Sequence, residues 1–193
     1  MQLFGKIYES VMRFSRRSDA PVYLSILSFL ESFILPFPPP DVMLAPMSLA
    51  TPERAMRFAL LTLVFSVLGG LVGYLIGAFL FDLAEPYIVE WGYQARFDTA
   101  IGWFNQWGFW AVLVAGFSPV PYKVFTIAAG VLSLALLPFI LASVIGRGLR
   151  FYLVAWCLAK FGPYIEAKLI RYVERIGWAI VALLVLAILI YSL

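Results

Sequence analysis

The sequence has no histidine, a single cysteine and few charges. Without histidine, the commonest general base and the commonest metal ligand are missing. Cys157 alone forms no intrachain disulfide and no thiolate cluster, and within its apolar run it reads as a small buried residue. There is no G-x-S-x-G, no H-E-x-x-H and no Walker A loop. The chain therefore reads as a non-enzyme that calls for no metal and no cofactor. Charged residues make up 13% of the chain, and the net charge of +3 says little because the positives are sorted by loop. No nucleic-acid partner is expected. An apolar run follows Lys6, Arg13, Arg16 and Arg17 but leads straight into a proline cluster, unlike a cleaved signal peptide.

What is there is hydrocarbon. Of 193 residues 63% are hydrophobic, against roughly 45–50% in soluble domains, and the mean hydropathy is +0.94. Several apolar runs approach the ~20 residues that cross a bilayer as helix. The expected fold is an all-α integral membrane protein of one domain, 1–193. Residues 1–19 form an amphipathic segment, 20–160 the core, and 161–193 a charged connector and a C-terminal transmembrane helix. Residues 58–81 and 135–159 read as spans. Residues 82–107 are mixed, with acids and tryptophans of the kind that lie at headgroup depth.

Two apolar stretches are broken. "ESFILPFPPPDVML" places Pro36, Pro38, Pro39 and Pro40 in the first, and "GFSPVPYKVFTIAAG" places Pro119 and Pro121 in the second. Successive prolines remove N–H donors and disfavour helix before them, so each stretch is expected to turn back as a re-entrant helical hairpin. The alternative is a full crossing with proline kinks. With hairpins, 1–19, 51–57 and 160–175 share one side, which holds every basic residue outside the membrane except Arg96, as the positive-inside rule prefers. The two halves then have opposite orientation, an inverted repeat. Gly69, Gly70, Gly73 and Gly77 in the first span have the small-xxx-small spacing of close helix packing.

Five ionisable residues stay at membrane depth: Glu31, Asp41, Lys123, Arg147 and Arg150. Each costs roughly 2.5–3.5 kcal/mol at the bilayer centre unless paired or solvated. Arg147 and Arg150, three apart, share a helix face that should look inward. One reading is structural: the acids neutralise the arginines and lock the halves together, with Asp41 serving as a helix cap. The other is functional: three bases against two acids leave a positive charge that a phosphate would balance, with Lys123, Arg147 and Arg150 as substrate-binding groups. Glu31 and Asp41 would then be the acidic, proton-exchanging groups.

Both broken motifs resemble the signatures of the DedA family, whose domain is also called VTT or SNARE-associated-Golgi-like. "GGLVGYLIG" and "IGRGLRFY" match the family's layout, and "PVPYKVFTIAAG" is most similar to the YqaA-type branch. The resemblance covers about residues 20–160 and implies two opposed re-entrant hairpins. It also implies lipid movement across membranes, of phospholipid or polyprenyl phosphate, tied in bacteria to the proton gradient through membrane acids, here Glu31 and Asp41, with Lys123 as the basic partner. Many members have an arginine before the second Phe–Pro segment, where this chain has Gly116 or Ser118, and another after it, where this chain has Lys123. Arg147 and Arg150 stand in for them. The expected function is a flippase or scramblase for an anionic lipid, proton-linked, multi-pass in a bacterial inner membrane with a cytoplasmic N-terminus. Its partners are membrane lipids and protons, with a homo-oligomer also allowed. The alternatives are a small-ion transporter and a non-transporting assembly factor held by buried ion pairs.

Overall fold

The computed structural model describes the backbone of residues 3–34, 38–118 and 121–191, and the side chains from residue 9 to residue 164 within those ranges except 83, 84, 105 and 163. Pro36 and Pro119 lie outside the described residues. All regular structure among the described residues is helical: α1 (Leu3–Ser15), α2 (Ala20–Glu31), α3 (Asp41–Ala50), a 3-10 turn at Pro52–Arg54, α4 (Ala55–Phe79), α5 (Phe81–Glu90), α6 (Gln94–Trp107), α7 (Phe109–Phe117), α8 (Tyr122–Val131) and α9 (Leu136–Tyr191). The charged stretch 160–175, which the sequence suggested as a connector, is part of α9.

Among the described residues, two stretches are long and apolar enough to cross a bilayer, Pro52–Phe79 and Leu136–Gly162. At 1.5 Å per residue each reaches about 40 Å. Their side chains are sorted in a way that water would not support. On α4 the buried stripe is small or hydroxylic (Ala59, Thr62, Ser66, Gly69, Gly73), while Leu60, Val64, Leu68 and Leu75 point outward. On α9, Ala142, Ser143 and Arg147 are buried and Leu141, Ile145, Leu149 and Leu153 are exposed. Apart from the buried rings of Phe58, Phe139 and Phe151, large apolar residues outside with small and polar ones inside is the distribution of helices solvated by lipid.

The breaks fall where the prolines stand. α2 ends at Glu31 and unwinds through a turn. Pro40 then occupies the N-cap position of α3, where a missing N–H is no loss because the first helical donors have no intrahelical partner. The N–H groups of Met43 and Leu44 close onto the Pro40 carbonyl. α7 ends at Phe117, the backbone of Ser118 after it is extended, and extended Pro121 precedes α8.

The two helix–break–helix units pack alike. α2 lies on α4, the span that follows its own unit, and α3 reaches across to α9. α7 lies on α9, the span that follows its own unit, and α8 reaches across to α4. α1 touches α3 and α6 touches α8 in the same relation. Glycines permit the approach. A Cβ on Gly69 would collide with the Phe29 carbonyl of α2, and one on Gly77 with the Ile127 carbonyl of α8. Gly70 and Gly73 face Tyr122 and Thr126 of α8. Gly146 of α9 meets the Leu113 carbonyl of α7 in the same manner.

Candidate functional site

A helix that stops inside an apolar region leaves carbonyls with no partner, and without water those carbonyls need donors from elsewhere in the protein. Here three break carbonyls, those of Ser32, Ile34 and Ser118, are met from the other unit or from α9. The Thr126 hydroxyl of α8 lies between two carbonyls, that of Lys123 on its own helix at 2.8 Å and that of Ser32 at 3.1 Å. The Lys123 ammonium, also on α8, lies 3.4 Å from the Ile34 carbonyl. Arg150 of α9 donates through Nη1 to the Ser118 carbonyl at 2.8 Å. The Ser32 hydroxyl pairs with that of Ser66 on α4 at 2.9 Å.

The acids take the remaining arms of the arginines. Glu31, the last residue of α2, accepts from Arg147 Nη2 at 2.9 Å, and both side chains are over nine-tenths buried. Asp41, the first residue of α3, pairs with Arg150 Nη2 in a less buried setting. The N-cap position of α3 belongs to Pro40 and not to Asp41, and Asp41 turns Oδ2 to Arg150, so the capping role expected of it is not the one seen. The two pairs therefore grip the first break at both of its ends. Arg150 additionally joins Asp41 of the first break to Ser118 of the second.

Arg147 is 3% exposed and Lys123 4%. The Arg147 guanidinium lies between two rings, 4.4 Å from the centroid of Tyr122 and 4.8 Å from that of Phe151. Ring faces are negative and attract the cation, more strongly where both are desolvated. Tyr122 belongs to one apolar cluster, built from α5 to α9, and Phe151 to the other, built from α2, α3, α4 and α9. The guanidinium thus sits where the two apolar cores meet. Its Nε, the Tyr122 hydroxyl and Asp41 Oδ1 have no hydrogen-bond partner among the described residues.

The structure thus brings together Glu31, Asp41, Lys123, Arg147 and Arg150 around the two breaks, and Gly69, Gly70, Gly73 and Gly77 behind them on α4. Pro38, Pro39, Pro40 and Pro121 flank the breaks. Sequence reasoning missed Tyr122, Phe151, Thr126 and Ser32. Tyr122 had a visible signal, since it stands beside Lys123 immediately after a proline. Phe151 is one turn beyond Arg147, where its ring reaches back over the guanidinium.

The VTT domain family model matches residues 23–160. An uncharacterized protein of Haemophilus influenzae is 46% identical over 187 residues, covering 97% of each chain. An uncharacterized protein of Histophilus somni is 44% identical over 191 residues, covering 99% of this chain and 98% of its own. No solved structure matches.

Proposed function

We propose, from the premise that this chain belongs to the VTT-domain (DedA) family of membrane proteins, that it is a flippase or scramblase for an anionic lipid, a phospholipid or polyprenyl phosphate, linked to protons. The observation that carries this reading is the pairing of Arg147 and Arg150 with carboxylates from the two ends of one helix break. A lipid phosphate can replace a carboxylate at an arginine without leaving a buried charge unbalanced, and arginine's planar donor fork suits phosphate. The displaced acid, desolvated and without its cation, takes up a proton. Arg147 Nε, without a partner among the described residues, is a further donor for the incoming oxygen. Glu31 and Asp41 are the proton-exchanging groups, and Lys123, Arg147 and Arg150 hold the headgroup.

The two helix–break–helix units are re-entrant hairpins in an inverted repeat, a reading supported by their matching packing on α4 and α9. The excess of Lys and Arg in 1–19 and 51–57 supports a cytoplasmic N-terminus, and the relatives' bacterial sources support a bacterial inner membrane. The closed ion pairs also favour a second reading, a non-transporting assembly factor in which the pairs are static braces.

Purified protein in liposomes with headgroup-labelled lipids separates the two. The first reading expects translocation of anionic lipid that changes with an imposed pH gradient and is lost in Glu31→Gln. Protein-containing liposomes that move no lipid under either condition exclude it.

A further inference from the structure

Beside the charged site lies an apolar groove of about 290 Å³ that the ion pairs do not use. It is lined by Phe33 and Ile34 after α2, Ile76 of α4, Ile88 of α5, Trp91 just beyond the end of α5, and Ile127 of α8. Two of these residues connect it to the charges. Ile34 offers its carbonyl to the Lys123 ammonium, and Ile127 stands one helical turn beyond Lys123 on the same face of α8. The wall itself is hydrocarbon and aromatic, and the buried Lys123 ammonium lies behind it, in contact with the Ile34 carbonyl. Trp91 is 42% exposed at the outer rim, and an indole in that setting suits the boundary between headgroups and acyl chains. At about 30 Å³ per water-sized unit, the space is that of a short hydrocarbon segment.

We infer that this groove holds a single hydrocarbon chain of a lipid whose anionic headgroup lies toward Lys123. The assignment rests on the proposed lipid function and adds a chain-binding element to it. Burial of the chain contributes through removal of apolar surface from the headgroup region. The cation supplies selection by charge. Tyr87 and Ile88 of α5, with Trp91 just beyond its end, form the wall that contacts this chain from the side of residues 82–107.

The test compares two lipids with the same photoreactive diazirine chain, phosphatidic acid and phosphatidylcholine, in liposomes containing the full-length protein, with cross-links mapped by peptide mass spectrometry. The expected result is several-fold more labelling of residues 87–91 and 127 by phosphatidic acid. Lys123→Gln is expected to remove that excess, and Ile76→Trp, which fills the groove from a half-buried position, to abolish labelling there while other lipid-facing peptides keep theirs. Excess inorganic phosphate, which has the headgroup charge and no chain, is expected to leave the labelling in place; its loss to free phosphate would assign the site to the ion alone. Equal labelling by both lipids, with Ile76→Trp without effect, overturns the groove and leaves only annular lipid. In that outcome wild-type translocation in the same liposomes persists, whereas failure of the proposed function is read as absence of translocation whatever the labelling pattern.

Discussion

Glu31 and Arg147 are each tolerable in an apolar interior only because of the other. Removing one partner leaves a buried charge, a loss of about 3–5 kcal/mol in soluble cores. Glu31→Ala is therefore expected to lower the thermal midpoint in detergent as well as abolish transport, and the double variant Glu31→Ala/Arg147→Ala to regain much of the midpoint without regaining transport. A Glu31→Ala protein of unchanged stability would detach the acid from its structural role. Arg147→Lys retains the charge but loses the planar fork that lies between Tyr122 and Phe151, so it is expected to reduce translocation about tenfold or more. Lys123→Arg, at a point-charge contact, is expected to reduce it less; the reverse order in a liposome assay would refute the distinction. At this scale the costly residues were legible in the sequence, because ionisable groups inside long apolar runs need a reason. Their partners were not, because the pairs join residues 116 and 109 positions apart. The two rings about Arg147 were hidden among 33 aromatic residues in the sequence, 17 Phe, 10 Tyr and 6 Trp.

At the scale of elements, α4 is the helix on which both units rest, and its glycines set the distance. Gly77→Ala places a methyl group against the Ile127 carbonyl, and overpacking of this kind costs about 1–3 kcal/mol. Gly102→Ala, on α6 with nothing within 4 Å of the new Cβ, is the control, expected to stabilise by up to about 1 kcal/mol through helix propensity. Thermal melts of the two variants in the same detergent check the contrast, and equal midpoints would remove the close contact of α4 and α8 from the account. The proline runs announced the ends of α2, α3, α7 and α8 because few other features stop a helix in an apolar stretch. Residues 82–107 gave no comparable signal. Their mixed acids and tryptophans read as an interfacial zone, yet they form α5 and α6, whose buried positions (Ile88, Phe97, Ala100, Phe104) are too sparse to show as a strong apolar face.

For the whole molecule, the expected topology places 51–57 and 82–107 on opposite sides of the membrane. Single cysteines at Glu53 and Glu90 in a Cys157→Ser background are expected to label from opposite sides with an impermeant reagent. Labelling of both from one side would replace the hairpins with full crossings. The architecture was partly legible because hydropathy, prolines and basic residues all report on the bilayer. The exchange of α3 and α8 between the two spans was not, since it depends on which small residues meet which backbone.

Arg147 and Arg150 project from one rigid helix, about 4.5 Å apart along its axis and about 60° apart around it. A slide or roll of α9 large enough to detach one guanidinium from its carboxylate moves the other by nearly the same vector. The two contacts are therefore mechanically in parallel on a single degree of freedom, and their opening energies add instead of being met one at a time. Half-released states are suppressed accordingly. A distance probe placed between α3 and α9 is expected to report two discrete levels, with dwell times lengthened at both ends, where independent contacts would yield a third.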